Sequence, residues 1–428
     1  MKLLKRLRIF IKTTDDVLAI KYKSFFWNSM YSGLNAFQPA IFLFAIARTQ
    51  ALGEAGIVTT GFAIANLVMI LAGYVIRNYQ VTDVGEEFSF SDYFFVRVIT
   101  VFGSLILSWI YLAAMVLNIK YSIHKALVIF MIIAMKMIDT MESVYVGRLQ
   151  QKGRLDIGAR LSAVRVLIVT IIVFIALYKI RDIAICFLIG VLVSTGIDMY
   201  ALPVGREYAD FKISKMVESR IRRLLVIAFP LCVGSVLHNY LGNAPKYIVD
   251  IYLTDEMQAI CGYIMMPMFV VTMLNLFLMQ PAIKGLADLW YAGDMNGIKK
   301  TVLRHILIII ILAILVLFVG LLMGLNILSM LYRVDLMEYR RAFVCFMFGG
   351  TLYTLSAYFM VLLTVARQRK IIVIAGICSA FVYLPSISLW IVRDGNIMRV
   401  AISYVVSNLV LLAVFIMGLF CVRYVNVK

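Results

Sequence analysis

Apolar residues run in long blocks along this chain, and polar residues collect in short segments between them. Twelve blocks of about 20 residues lie near 25–47, 57–76, 95–117, 123–146, 161–178, 183–202, 224–243, 258–282, 303–325, 342–365, 371–391 and 400–422. At ~1.5 Å rise per residue, about 20 helical residues cross the ~30 Å hydrocarbon core of a bilayer. The pattern predicts an all-α polytopic membrane protein with about 12 transmembrane helices. The connections are too short to fold as separate soluble domains, where membrane enzymes often keep their chemistry.

Composition agrees with the pattern. Of the 428 residues, 63% are apolar and only 15% charged, with a mean hydropathy of +0.96. Soluble domains carry roughly 25% charged residues, and disordered chains need low hydrophobicity. The formal net charge is +18. In a membrane protein that excess belongs to loops facing anionic lipid, so it points to the bilayer and not to nucleic acid. If both termini are cytoplasmic, 27 of the 41 basic residues fall on inner segments and 11 on outer ones. The other three, Arg97, Lys136 and Arg165, lie within spans. The positive-inside rule therefore predicts both termini inside. No cleavable signal peptide is read at the start, where Met1–Lys12 alternates basic and apolar residues.

The charged loop 205–223 divides the spans six and six. The expected organisation is a basic cytoplasmic segment 1–24, an N-terminal lobe 25–213 and a C-terminal lobe 214–428. The halves echo each other weakly: Pro39 and Pro230 fall in their first spans. Arg148-Leu149-Gln150-Gln151-Lys152 and Arg367-Gln368-Arg369-Lys370 follow their fourth spans. Parallel repeats of this kind place a transporter's site between two lobes.

The fourth span is the exception in charge. It holds Lys136, Asp139 and Glu142, spaced to share one face of a helix. Each central charge costs roughly 2.5–3.5 kcal/mol on insertion scales. That face should line a cavity or meet other polar groups, although a local Lys136–Asp139 pair that glues helices is also open. Amides and one imidazole elsewhere can face the same cavity: Asn28, Asn35 and Gln38; Asn66; His238, Asn239 and Asn243; Asn275 and Gln280. Arg97, Arg165 and Asp198 sit within about two turns of the inner ends of their expected spans and are predicted to snorkel. The six cysteines have no paired spacing and read as small hydrophobes. Neither a P-loop, an HExxH, a Cys/His metal cluster nor a GxSxG elbow is found, so no cofactor, metal site or enzymatic nucleophile is expected.

Several strings carry a resemblance. They are Arg77-Asn78-Tyr79-Gln80-Val81-Thr82-Asp83-Val84 with Tyr93 and Arg97, and Gly147-Arg148-Leu149-Gln150-Gln151-Lys152-Gly153-Arg154-Leu155-Asp156-Ile157-Gly158. Asn243-Ala244-Pro245-Lys246-Tyr247-Ile248-Val249-Asp250 and Met265-Met266-Pro267 with Gln280-Pro281 complete the set. Over most of residues 25–290 the chain resembles the Wzx-type polysaccharide flippases of the multidrug/oligosaccharidyl-lipid/polysaccharide (MOP) exporter superfamily. The last third resembles them in hydropathy and span number only. The resemblance implies two six-helix lobes around a central cavity and alternating access. The cargo it implies is a polyprenyl-diphosphate-linked oligosaccharide repeat unit, moved from the inner to the outer leaflet of the cell membrane. On that reading Arg77, Lys136 and Lys246 attract the anionic head group at successive depths, with Arg48 at the outer mouth. The amides and His238 contact the glycan. Glu142, or else Asp139, carries a coupling H+ or Na+. A polysaccharide polymerase and chain-length machinery would be partners. An ion-coupled multidrug exporter of the same fold is the first rival, and a membrane polymerase or ligase the second.

Overall fold

A computed structural model describes residues 17–83, 85–206, 217–291, 293–365, 368, 370–381 and 396–425. The basic segment up to residue 16, the Gln280 side chain and the second half of the expected span 371–391 lie outside the described residues. The helices are α1 (Val17–Thr49), α2 (Leu52–Gly73), α3 (Ile76–Thr82), α4 (Phe90–Leu117), α5 (Ile123–Gln151), α6 (Leu155–Lys179) and α7 (Ile183–Arg206). After them come α8 (Glu218–Tyr252), α9 (Asp255–Tyr291), α10 (Met295–Val319), α11 (Leu325–Tyr332), α12 (Arg340–Val365), α13 (Lys370–Phe381) and α14 (Ile397–Val425). A π-helical turn, Gly320–Gly324, joins α10 to α11.

Among the described residues, ten helical segments are long and apolar enough to cross a membrane. α5 is not among them, because its charges break the apolar window, and α13 is described only over a shorter stretch. Helix ends follow local chemistry. Ser89 accepts from Asp92 N while the Asp92 carboxylate accepts from Ser89 N, a capping box that starts α4. Ser122 and Asp294 cap α5 and α10 through single side-chain bonds. Gly153, at φ 74°, ends the α5–α6 turn in the left-handed region.

The chain packs as two compact units. One comprises Met1–Thr49 with Ile64–Cys232, the other Gln50–Ala63 with Val233–Lys428. These bounds differ from the expected lobes 25–213 and 214–428, since residues 50–63 pack with the C-terminal unit and the division falls inside α8. The reason for the first difference is a set of contacts far apart in sequence. Thr60 Oγ1 donates to Asp250 Oδ1 at 3.0 Å, and Gln258 Nε2 donates to Thr60 Oγ1 at 2.9 Å. A Cβ on Gly56 would run into the backbone carbonyl of Asp255. Small residues let α2 approach α9 this closely, and buried side-chain bonds then hold it.

In the N-terminal unit, α1 packs along α6, and α5 is surrounded by α3, α4, α6 and α7. In the C-terminal unit, α12 packs on α14 and on α9. Polarity is inverted relative to a soluble protein. Phe102, Ile106 and Trp109 on α4, and Leu307, Ile311, Ile314 and Phe318 on α10, are exposed. Arg97, Lys136, Asp139 and Arg165 are buried. Such a surface suits hydrocarbon, which solvates the apolar side chains and excludes the charges.

We expect Gly56→Val to lower stability by about 1–3 kcal/mol, as overpacking of a tight contact does. Thermal unfolding of the purified chain in detergent checks this. An unchanged midpoint would contradict the close α2–α9 approach.

Candidate functional site

The N-terminal unit is organised around one guanidinium. Arg165 on α6 is 1% exposed. Its Nη1 donates to Asp139 Oδ1 at 2.6 Å and to Ser194 Oγ at 2.7 Å. Its Nη2 donates to Glu142 Oε2 at 2.6 Å. Its Nε lies 3.0 Å from Asp198 Oδ1, an ion pair without an aligned hydrogen bond. Lys136 extends the network. Its Nζ donates to Asn35 Oδ1 at 2.6 Å, to Gln38 Oε1 at 2.8 Å and to Asp139 Oδ2 at 3.3 Å. Gln38 passes its own Nε2 to Thr170 Oγ1 at 3.0 Å, and Ser162 Oγ donates to Glu142 Oε1 at 2.9 Å. Four helices, α1, α5, α6 and α7, are thereby joined.

Here the sequence expectation of snorkelling is corrected. A span beginning at 161 sets Arg165 near an inner membrane face, but the helix begins at Leu155, which puts Arg165 ~15 Å along it. Asp198 keeps its expected distance of about two turns from the end of α7 at Arg206, but its carboxylate pairs with Arg165 and does not reach for the surface. Arg97 is corrected too. It is 1% exposed, and its Nη1 donates to Ala72 O at 2.8 Å. That carbonyl also accepts from Thr100 Oγ1 at 2.7 Å. Tyr74 and Val75 have left-handed φ values of 47° and 57°, so α2 breaks there. The break leaves carbonyls without intrahelical donors, and Arg97 and Thr100 satisfy one of them.

The break also positions Arg77. On the short α3, Arg77 lines a cavity of about 10 Å³, room for one water molecule, with Asn28, Tyr31, Asp139, Glu142 and Ser162. Its Nη2 donates to Gln150 Oε1 at 3.1 Å, and it makes no ion pair within the described residues. Two motif segments some 70 residues apart meet at this point. Asp83 accepts from Glu87 N at 2.9 Å, from Phe88 N at 3.1 Å and from Tyr93 Oη at 2.7 Å. Gln151 Nε2 donates to Asp83 O at 2.8 Å. Glu86 Oε1 accepts from Arg148 Nη1 at 3.1 Å and Lys152 Nζ at 2.7 Å. A Cβ on Gly147 would meet the Gln80 side-chain amide, which would have to shift, so the glycine gives α3 room to lie close to α5.

The three carboxylates Asp139, Glu142 and Asp198 face two ion-paired cations, Lys136 and Arg165. Arg77, on the same small cavity, brings the local count to three against three. Glu142 also lines a second, apolar groove of about 580 Å³ between α4, α5 and α7, together with Asp198, Phe102, Met137 and Met141. It therefore stands in the wall between a polar cavity and an apolar one. The space among the three carboxylates is filled by the Arg165 guanidinium, not left open to a metal ion.

The other expected residues are placed as follows. Asn28 lines the small cavity, Asn35 and Gln38 hold Lys136, and Asn66 is half-buried on α2. The Arg48 guanidinium stacks 4.6 Å from the Phe44 ring centre, and its buried Nε lacks a hydrogen-bond partner. In the C-terminal unit, Lys246 Nζ lies 4.6 Å over the Phe269 ring and makes no ion pair within the described residues. His238 stacks on Tyr353 at 4.5 Å. His238 Nδ1 and the Oδ1 atoms of Asn239, Asn243 and Asn275 are buried without hydrogen-bond partners among the described residues. For Lys136 both the head-group role and a local pair with Asp139 are expected, and the pair is present at 3.3 Å. Burial at 2% exposure and three acceptors leave Lys136 no direction in which to hold an anion in this conformation. The sequence reading missed Arg165, Asp198, Ser162, Ser194 and Tyr31. Carrying α6 back to the Gly153 turn would have put Arg165 at the depth of Asp139.

Two outcomes follow. Removing one partner of a buried ion pair strands the others, at about 3–5 kcal/mol. Arg165→Ala should lose at least that much stability, and Arg165→Lys should recover little, because an ammonium does not span three carboxylates. Thermal unfolding of both variants in detergent measures this; wild-type midpoints would refute the hub. Glu86, in the α3–α4 loop, has its carboxyl held below the usual range by Lys152 and Arg148. A depressed carboxyl stabilises above its unfolded pKa, and the gain is lost as pH falls through the folded value. Hydrogen-exchange protection of residues 83–89 should persist at pH 5, fade only below the ordinary glutamate range, and lose that transition in Glu86→Gln.

No family model matches the chain, and no curated protein does. Solved structures do. A lipid II flippase, MurJ, in an inward closed conformation matches with a TM-score of 0.66 at 12% identity, over 94% of this chain and 87% of that one. A multidrug resistance MATE family transporter of the MOP superfamily, inward-facing, matches at 0.64 and 12% identity, over 92% of this chain and 96% of that one. A MOP superfamily transporter from Pyrococcus furiosus, described with a binding pocket of reversed polarity, matches at 0.55 and 12%, over 97% and 99%. At such identities the likeness establishes the fold. The chain is an all-helical, multi-pass membrane protein with the fold shared by the MATE transporters and the MurJ flippase of the MOP superfamily.

Proposed function

We propose that this protein is a Wzx-type flippase that moves a polyprenyl-diphosphate-linked oligosaccharide from the cytoplasmic to the outer leaflet of the cell membrane by alternating access. The observation that carries the reading is the state of the buried cations. Arg77 in one unit and Lys246 in the other make no ion pair within the described residues, while Lys136 and Arg165 are neutralised by carboxylates. A buried cation that no carboxylate pairs with directly keeps donors for an anionic ligand such as a diphosphate. In the same unit as Lys246, the acceptors of Asn239, Asn243 and Asn275 and the His238 ring, without partners among the described residues, suit a hydroxyl-rich glycan. Arg48, with its unpartnered Nε, is assigned to the outer mouth. Asn28, Asn35, Gln38, Asn66 and Gln280 keep their proposed places on the glycan path. Lys136 joins the head-group path only when the network opens.

Glu142 is the proposed coupling group, with Asp139 as the alternative. Uptake of H+ by Glu142 would weaken its bond to Arg165 and loosen α5 from α6. The filled centre of the cluster favours H+ over Na+. Both termini are placed in the cytoplasm by the basic bias of the inner segments. A polysaccharide polymerase and chain-length machinery would receive the product.

One observation favours a second reading. The apolar groove carrying Glu142 and Asp198 suits a lipophilic cation, which would make the protein an ion-coupled multidrug exporter. The experiment separates the two. Cells lacking the gene are assayed for diphosphate-linked glycans, with sidedness read by an impermeant glycan-cleaving enzyme. Repeat units should build up on the inner leaflet. Arg77→Ala and Lys246→Ala, at normal protein levels, should each restore export at least tenfold less well than wild type, whereas Arg77→Lys should restore part of it. Normal flipping in the deletion strain would discard the flippase. Loss of drug resistance in Glu142→Gln/Asp198→Asn would then select the exporter.

A further inference from the structure

At the start of α8, arginines stand at three consecutive basic positions of one turn, interrupted only by Ile221. Arg220 lies 3.7 Å from Asp92 Oδ2, and Arg223 Nη2 lies 2.5 Å from Glu87 Oε1. Both side chains stay largely open, at 55% and 63% exposure. Arg222 is exposed and has no ion-pair partner within the described residues. Helical spacing explains the division. Ile221, Leu224 and Ala228 are buried in a core cluster with Phe88, Phe90 and Tyr93. The opposite face turns Ser219, Arg222, Val226 and Phe229 outward. Val226 is 66% exposed and Phe229 57%. A cleft of about 600 Å³ runs along this face, lined by Glu218, Ser219, Arg222, Arg223, Val226 and Ile227.

Polarity along the cleft is graded. Guanidinium and hydroxyl donors occupy the first turn, with Glu218 as the one opposing charge. One to two turns further on, the lining is aliphatic and the neighbouring side chains are exposed apolar groups. No water-soluble anion matches that gradient, since it would leave the apolar part unoccupied. An anionic phospholipid matches both ends. Its phosphodiester accepts from the planar guanidinium and the Ser219 hydroxyl, and its chains lie against Val226 and Phe229. We propose that the start of α8 is a specific binding site for an anionic phospholipid of the surrounding bilayer, with Arg222 as its principal phosphate ligand. Arg223 is shared between Glu87 of the α3–α4 loop and the lipid phosphate. Lipid binding and the Glu87–Arg223 pair therefore compete.

The test uses the full chain, purified in detergent and offered phosphatidylglycerol or phosphatidylcholine with identical acyl chains. Retained lipid is counted by native mass spectrometry. Wild type should retain phosphatidylglycerol in preference, by about fivefold for each arginine engaged. Arg222→Gln should lose most of the preference. It breaks no ion pair, so folding is not at issue, and Arg222→Lys should recover part of it. Glu87→Gln frees Arg223 and should raise retention severalfold. Lys299→Gln/Lys300→Gln removes two exposed charges elsewhere; it should leave the preference unchanged. Equal retention of the two lipids by wild type would overturn the site. So would an equal loss in the Lys299/Lys300 variant, which would mean charge-driven adsorption only.

Discussion

A guanidinium buried in a membrane protein has to be met on every donor edge, and Arg165 meets this demand with side chains from two other helices. Asp139 and Glu142 come from α5, and Ser194 and Asp198 from α7. Neither partner set is tolerable alone in hydrocarbon. α5 carries too much charge to qualify as a span by composition, and it can be inside only because α1, α6 and α7 surround its polar face. The network dictates which helices neighbour one another and at what rotation. Apolar packing alone does not, because lipid tails compete on equal terms with leucine and isoleucine.

The segments that resemble flippase motifs act through the same demand. The break at Tyr74–Val75 sets α3 apart from α2. Arg97 and Thr100 cap the end of α2 left open by that break. Asp83, Tyr93 and Gln151 fasten the loop that follows, and Gly147 lets α3 lie against α5. Most motif residues thus build a rigid mount. Arg77 is what the mount presents, at the edge of the cavity that also receives Asp139 and Glu142.

Glu142 is where the buried ion network meets both cavities of the N-terminal unit. Its two oxygens are taken by Arg165 and Ser162, and its side chain borders both the small polar cavity and the larger apolar groove. A change in its protonation alters a bond that joins α5 to α6. Arg77 borders the same cluster from the cavity side.

Hydropathy by itself determined that the chain is helical and membrane-spanning, roughly where most spans lie, and that α5 must be hidden from lipid. Each of these follows from transfer free energies, which depend on composition within a window and not on neighbours. Asn35, Gln38, Lys136, Asp139 and Glu142 were legible as a polar group for the same reason. Only the tertiary structure decided which of them are spent on each other. A side chain's depth depends on where its helix starts, and that misplaced Arg165; Arg97 and Asp198 are turned inward by partners on other helices, Ala72 O and Arg165. Whether a cation is paired depends on helix rotation, and that separates Lys136 from Arg77 and Lys246. The assignment of residues 50–63 to the C-terminal unit rests on Gly56 meeting the Asp255 backbone and Thr60 meeting Asp250, contacts between positions about 200 residues apart that no local pattern encodes.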